Sequence, residues 1–113
     1  MNIRLIIPET HRDSQSSTDC NAIVSTNVRG YLRTIASIAG GYTAYRGHGG
    51  WIDDNGKLVE EPVTIVDCNI SQFTRAYSDI AYAFRTLAKT IARELSQDCV
   101  FLSIDGKTEF ITK

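Results

Sequence analysis

Asp53-Asp54-Asn55-Gly56-Lys57 sits between two strand-forming runs, Tyr42 to Ile52 and Leu58 to Cys68, and leaves the chain little choice there. Asparagine and glycine both accept the positive backbone angles of a tight hairpin turn, so this segment predicts a β-hairpin. Apolar residues at helical spacing lie on either side of it. Upstream, Val24, Val28, Tyr31, Leu32, Ile35 and Ile38 recur every three or four positions from Asn21 to Ala39, one stripe of a helix that Gly40-Gly41 ends. Gly30 is the weak point inside it. Downstream, Phe73, Tyr77, Ile80, Phe84, Leu87, Ile91 and Leu95 form a second stripe, with Asn69 or Ser71 as its expected cap. Asn2 to Ile7 and Cys99 to Ile104 read as strands, and Asp105-Gly106 turns the second into Lys107 to Ile111. Glu9 to Cys20 is polar and without period, a long loop.

The order strand, helix, hairpin, helix, strand is the split βαβ pattern, so we expect an α+β, ferredoxin-like sandwich, β-α-β-β-α-β plus a short C-terminal hairpin. Both helices then cover one face of an antiparallel sheet. The other face is expected to carry Arg4, Ile6, Ala44, Arg46, Thr64, Val66, Phe101 and Ser103, a mixed surface that suits a homo-oligomer interface. With 113 residues, 42% of them hydrophobic and 22% charged, residues 1–113 make a single domain.

Charge and composition narrow the function classes. Twelve basic against thirteen acidic residues leave no positive field for a nucleic-acid backbone, so nucleic acid is an unexpected partner. Apolar runs fall far short of the roughly 20 residues that cross a bilayer, and Met1 to Pro8 has no secretory-signal pattern, so a cytoplasmic protein is expected. Cys20, Cys68 and Cys99 form no disulfide or zinc pattern, and Cys68 and Cys99 read as small buried apolar residues. Two histidines, His11 and His48, lack metal-ligand spacing, and Ser14, Ser16 and Ser17 lack a nucleophile elbow. No metal or cofactor is expected, and no nucleophile is visible.

Five of the eight glycines fall within eleven positions, Gly40 to Gly50, around Arg46, His48 and Trp51. Glycine in a strand marks a bulge or a close approach of ligand or backbone. Counting back from a two-residue Asn55-Gly56 turn sets Trp51 opposite Glu60, Gly50 opposite Glu61 and His48 opposite Val63. The hairpin then offers a polar ligand pocket. Arg46 is suited to a phosphate or carboxylate, Tyr45 or Trp51 to stacking on a planar ring, and His48 with Glu60 or Glu61 to hydrogen bonding or proton transfer. The plain alternative is that the glycines bend the sheet and Arg46 pairs with Glu61.

The string Gly40-Gly41-Tyr42-Thr43, then Gly47, Gly49-Gly50-Trp51, Asp54-Asn55-Gly56 and Val59-Glu60-Glu61-Pro62, resembles a pattern in short, functionally unassigned proteins of phages and mobile elements. The resemblance spans roughly Leu32 to Ile111 and implies an accessory protein active in the host cytoplasm against host defences. The expected function is therefore capture, without turnover, of a host target, either a nucleotide-like small molecule or a defence protein. The alternative is a small enzyme in which His48 and Glu60 or Glu61 perform acid-base chemistry on a nucleotide-like substrate. A weaker third expectation docks Arg75, Arg85, Lys89 and Arg93 on an acidic partner.

Overall fold

Strand-forming and helix-forming segments alternate as expected in the computed structural model, which describes residues 1–9, 26–72 and 75–113. The elements are β1 (Asn2–Pro8), α1 (Thr26–Ala39), β2 (Thr43–Ile52), β3 (Leu58–Asn69), α2 (Tyr77–Glu94), β4 (Cys99–Ile104) and β5 (Lys107–Thr112). They form one five-stranded sheet in the order β2-β3-β1-β4-β5, and every neighbouring pair is antiparallel. The first four strands have the split βαβ arrangement, and β5 extends the sheet beyond β4. Expectations for Val24, Phe73, His11, Cys20 and the serines of the Glu9 to Cys20 segment lie outside the described residues.

One face of the sheet, Ile3, Leu5, Val66, Cys68, Val100, Leu102 and Ile104, packs with Val28, Leu32 and Ile35 of α1 and Ile80, Phe84, Leu87 and Ile91 of α2. This is the core. Ile7, Ile35, Phe84, Ile91 and Leu102 have no exposed surface, and truncating a side chain of this kind to alanine costs about 2–5 kcal/mol. Tyr77, expected in the α2 stripe, is exposed at the first turn, where its hydroxyl donates to Asp105 at 2.7 Å. The α2 cap also differs from expectation. Asn69 remains in β3, and Ala76 precedes the helix without a side-chain cap. Gly40 ends α1 as expected, at φ +86°, its N–H donating to the Ala36 carbonyl.

The hairpin register differs from the sequence count by one residue. Trp51 faces Val59, Gly50 faces Glu60, Gly49 faces Glu61 and His48 faces Pro62. The cause is the loop. Ile52 pairs with Leu58, leaving a turn over Asp53 to Gly56, closed by Gly56 N–H on the Asp53 carbonyl, with Gly56 at φ +77°. Asp53 Oδ1 accepts from the backbone N–H groups of Asn55 and Lys57, both at 2.9 Å, which favours this wider loop over the two-residue turn. The Asp105-Gly106 turn is the tight kind, with φ +49° and +83°.

Strand alternation then sorts the sheet residues. Val66 faces Leu5 in the core and Ala44 faces Val66, while Thr64 lies between Ile7 and Arg46. These four hairpin residues, Ala44, Arg46, Thr64 and Val66, are therefore on the helix side and not on the open face. Arg4, Ile6, Phe101 and Ser103 are on the open face as expected, joined there by Tyr45, Trp51 and Asp67. No helix among the described residues is long and apolar enough to cross a membrane.

Candidate functional site

The six hairpin residues expected to share a pocket are divided by the sheet itself. Arg46, His48 and Glu60 are on the helix side, whereas Tyr45, Trp51 and Glu61 are on the open side. Alternation along β2 separates Arg46 and His48 from Tyr45 and Trp51, and the one-residue shift in register puts Glu60, not Glu61, on the face of the first two.

On the helix side, beyond the apolar core, four ionisable side chains form two pairs. Arg46 Nη2 donates to Glu9 Oε2 at 2.6 Å, with only 27% and 11% of the two side chains exposed. Glu9 is placed by β1, its N–H held by the Pro62 carbonyl at 3.0 Å. The Arg46–Glu61 pairing considered from sequence is thus replaced by Arg46–Glu9. His48 Nε2 lies 3.0 Å from Glu60 Oε1, and this pair is well exposed. Pro62, opposite His48, and Gly50, opposite Glu60, contribute no polar side chain, so the charged groups border an open patch of strand. Thr64, directly opposite Arg46, is buried, and its hydroxyl has no hydrogen-bond partner among the described residues. Sequence reading missed Glu9 and Thr64. The signal for Thr64 was its place two residues from Val66 in the same alternation, which becomes readable only once the register is known.

The open side carries a different cluster, also missed. Arg4 binds Asp67 through two nitrogens, at 2.7 and 3.0 Å, and Tyr45 donates its hydroxyl to the same carboxylate at 3.0 Å. The Arg4 bond, with the Tyr45 bond, holds the Asp67 carboxyl below the usual carboxylate range. The cluster borders a shallow hollow of about 430 Å³ lined also by Asn2, Thr43, Asn69 and Ser103. Its charged groups satisfy one another, whereas the helix side keeps unused hydrogen-bonding capacity at Arg46 and Thr64. We therefore take the helix-side group as the candidate site.

Much of the glycine cluster is explained by packing. A Cβ on Gly47 would lie 2.7 Å from Ile65 Cδ1, and one on Gly49 3.3 Å from Val63 Cγ1. Valine and isoleucine of β3 lean over β2 at these two positions, so the glycines leave room for side chains and not for a ligand. Burial, with Asp67 beside it, pushes the Cys68 thiol up to about 11, in keeping with a small core residue. Cys99 is exposed, contrary to expectation. Arg85 is held by Glu109 through both oxygens, which weakens the idea of a basic helix face presented to a partner. Among the described residues no group of three or more His, Cys, Asp or Glu is placed to hold a metal ion.

No family model and no curated protein matches the sequence. Solved structures do match in shape. A phage SAM lyase in complex with S-methyl-5'-thioadenosine superimposes with a TM-score of 0.68 at 15% identity, covering 99% of this chain and 88% of that one. A phage SAM lyase in the apo state gives 0.63, with the same identity and coverage. The fold is shared with an enzyme. Capture without turnover, the function expected from sequence, is corrected by these matches: both structures that share the architecture from end to end are of a lyase.

Proposed function

We propose that this chain is a small phage-type enzyme that breaks down S-adenosylmethionine, or a close nucleoside sulfonium, in the cytoplasm of a host cell. The observation that supports it most is the end-to-end match in fold to a phage SAM lyase bound to S-methyl-5'-thioadenosine. The nucleotide-like substrate inferred from sequence is of the same class. Such a lyase removes a metabolite that host methylation reactions need, which fits an accessory role against host defences.

The chemistry suits a chain without an evident nucleophile. When the bond from sulfur to the amino-acid carbon breaks, its electron pair stays on sulfur and the cationic sulfonium becomes a neutral thioether, while the carbon it leaves either bonds to an oxygen of the substrate's own carboxylate, closing a lactone, or forms a double bond as the neighbouring carbon gives up a proton. The leaving group is activated by its own charge, and the protein has to orient the substrate and manage protons, not attack it. Glu60 orients His48 by the 3.0 Å contact, an arrangement suited to proton transfer. The Glu60 carboxylate, exposed beside His48, favours a cationic ligand nearby, while the Glu9 charge is met by Arg46. The open face of the sheet, with Tyr45, Trp51 and Phe110 exposed, supports assembly into a homo-oligomer.

The test is to incubate the purified protein with S-adenosylmethionine and follow products by liquid chromatography and mass spectrometry. Release of S-methyl-5'-thioadenosine, reduced at least tenfold by His48→Ala or Glu60→Gln with the fold intact, is the expected result. Intact substrate after hours with stoichiometric protein sinks the proposal.

A further inference from the structure

Two residues of the helix layer go against local preference, and both border the same cleft. Gly30 is inside α1, where glycine weakens a helix, yet no neighbour requires it: a Cβ there would meet nothing within 4 Å. Glu94 is the last residue of α2, where the carbonyl end of the helix dipole favours a cation and disfavours a carboxylate. Its neighbour Arg93 does not line the cleft. The cleft lies between α1 and α2, is lined by residues of these two helices and measures about 580 Å³. That is within the range of about 300–1,000 Å³ that suits a small organic molecule. Tyr31 and Tyr82 line it, the latter 71% exposed in the middle of its helix. Thr34 and Thr90 line it too, but their hydroxyls donate to the Gly30 and Thr86 carbonyls of their own helices, at 3.2 and 3.0 Å. The Tyr31 hydroxyl donates to Glu94 Oε1 at 2.7 Å. What remains is a largely apolar cleft with one ionised lining residue, Glu94, whose Oε2 carries no hydrogen bond among the described residues.

We infer that this cleft binds a small organic cation with alkylated charge, a sulfonium or quaternary ammonium, held by the Glu94 carboxylate and the rings of Tyr31 and Tyr82. Aromatic rings attract such cations through their electron-rich faces, and an apolar lining suits a cation whose charge is wrapped in alkyl groups and has no N–H to donate. The carboxylate and the negative helix end add to that attraction and disfavour a phosphate or carboxylate ligand. Gly30 leaves the volume the cation needs. Both locally unfavourable choices thus have one explanation, and neither has one in the packing of the helices. The cleft is a second cation site, apart from His48 and Glu60, and the inference does not depend on the proposed reaction.

The experiment is a nuclear magnetic resonance titration of the labelled protein with choline, a trimethylammonium probe, and with the uncharged alcohol in which carbon replaces its nitrogen. Choline is expected to shift the amides of Tyr31, Ala83 and Thr86 saturably and to bind about fivefold more tightly than the alcohol. Glu94→Gln keeps an acceptor for Tyr31 and should erase that preference. Gly30→Leu fills the cleft, and it should abolish binding of both probes while Tm stays equal or rises, a combination that damage to the fold does not produce. Absence of saturable shifts in the wild type overturns the site. Equal affinity for the two probes, or a preference that survives Glu94→Gln, overturns its assignment to a cation. The same titration with S-adenosylmethionine on His48→Ala, where the substrate is expected to stay intact, separates the two sources of the charge. Shifts at the same amides assign the cleft to the substrate's sulfonium, and their absence, with choline bound, assigns it to a quaternary ammonium. Choline binding is read without turnover, so failure of the lyase reading and failure of this site are told apart.

Discussion

Gly30 and Gly47 are both glycines inside regular elements, yet they have opposite consequences. A Cβ on Gly30, in α1, would meet nothing within 4 Å, so Gly30→Ala should stabilise the fold by up to about 1 kcal/mol. At Gly47 the added carbon would lie 2.7 Å from the Ile65 Cδ1 terminus, and Gly47→Ala should cost about 1 kcal/mol, recovered when Ile65→Val removes the obstructing methyl. Urea unfolding of the three variants checks this, and equal shifts at both glycines would show that the contact is irrelevant. A second residue-level expectation concerns pH. The Asp67 carboxyl is held low, first by its hydrogen bond from Arg4, so the ionised form is favoured in the folded state. Its contribution is therefore complete above the usual carboxylate pKa near 3.9 and is lost as pH falls through the depressed folded value. The urea midpoint of wild type should drop more between pH 5 and pH 2.5 than that of Asp67→Asn, and parallel curves would remove Asp67 from the account.

Elements were largely legible in the sequence, and their pairing was not. The helix stripes gave Val28, Leu32, Ile35, Ile80, Phe84, Leu87 and Ile91 correctly as core, because burial on one side of a helix leaves a period that needs no partner to be seen. The hairpin was equally visible, but its register depended on whether Asn55-Gly56 closed two residues or a wider loop. That choice rests on the Asp53 side chain taking two backbone N–H groups. Strand alternation by itself puts Arg46 and His48 on one face and Tyr45 and Trp51 on the other, and the one residue of difference in register exchanged Glu61 for Glu60 beside the first pair, so the six residues named from sequence were split between two faces. Contacts between distant elements, such as Arg4 with Asp67 or Arg46 with Glu9, leave no local pattern. Tyr31 on α1 and Glu94 on α2 are another such pair, joined by a 2.7 Å hydrogen bond. Burial, with the bond to Glu94, raises the Tyr31 hydroxyl from 10.0 to about 12. A raised folded value means that the stabilising contribution is whole below pH 10 and lost between about 10 and 12. Phenolate absorbance should show one tyrosine titrating last and missing in Tyr31→Phe, whose stability should also fall less steeply across that range. A titration unchanged by the substitution would contradict the pairing of the helices.

At the scale of the whole molecule the helices shield one sheet face and leave the other to solvent or to another surface. That open face holds Trp51 at 47% and Phe110 at 65% exposure, with Phe110 edge-on to Phe101 at 5.9 Å between ring centres. Apolar rings around the Arg4–Asp67–Tyr45 cluster make a surface that is apolar at its ends and polar in the middle, unlike a surface built only for water. Burying it between copies removes the exposed rings from solvent, and a stable interface requires about 800 Å² from each partner. The open face of a five-stranded sheet of this length can supply that area. Light scattering at micromolar concentration is therefore expected to give a multiple of the 12.5 kDa chain mass. Trp51→Glu together with Phe110→Glu should reduce it to a monomer with the circular dichroism of the folded protein, since neither ring belongs to the core. A monomeric wild type would overturn assembly through this face, and an oligomer that survives both charges would place the interface elsewhere. The same pair of variants separates assembly from chemistry. His48 and Glu60 are on the helix side, so a dissociated variant that still releases S-methyl-5'-thioadenosine would show that one chain holds a complete site. Loss of turnover with an intact fold would show that the neighbouring copy completes it.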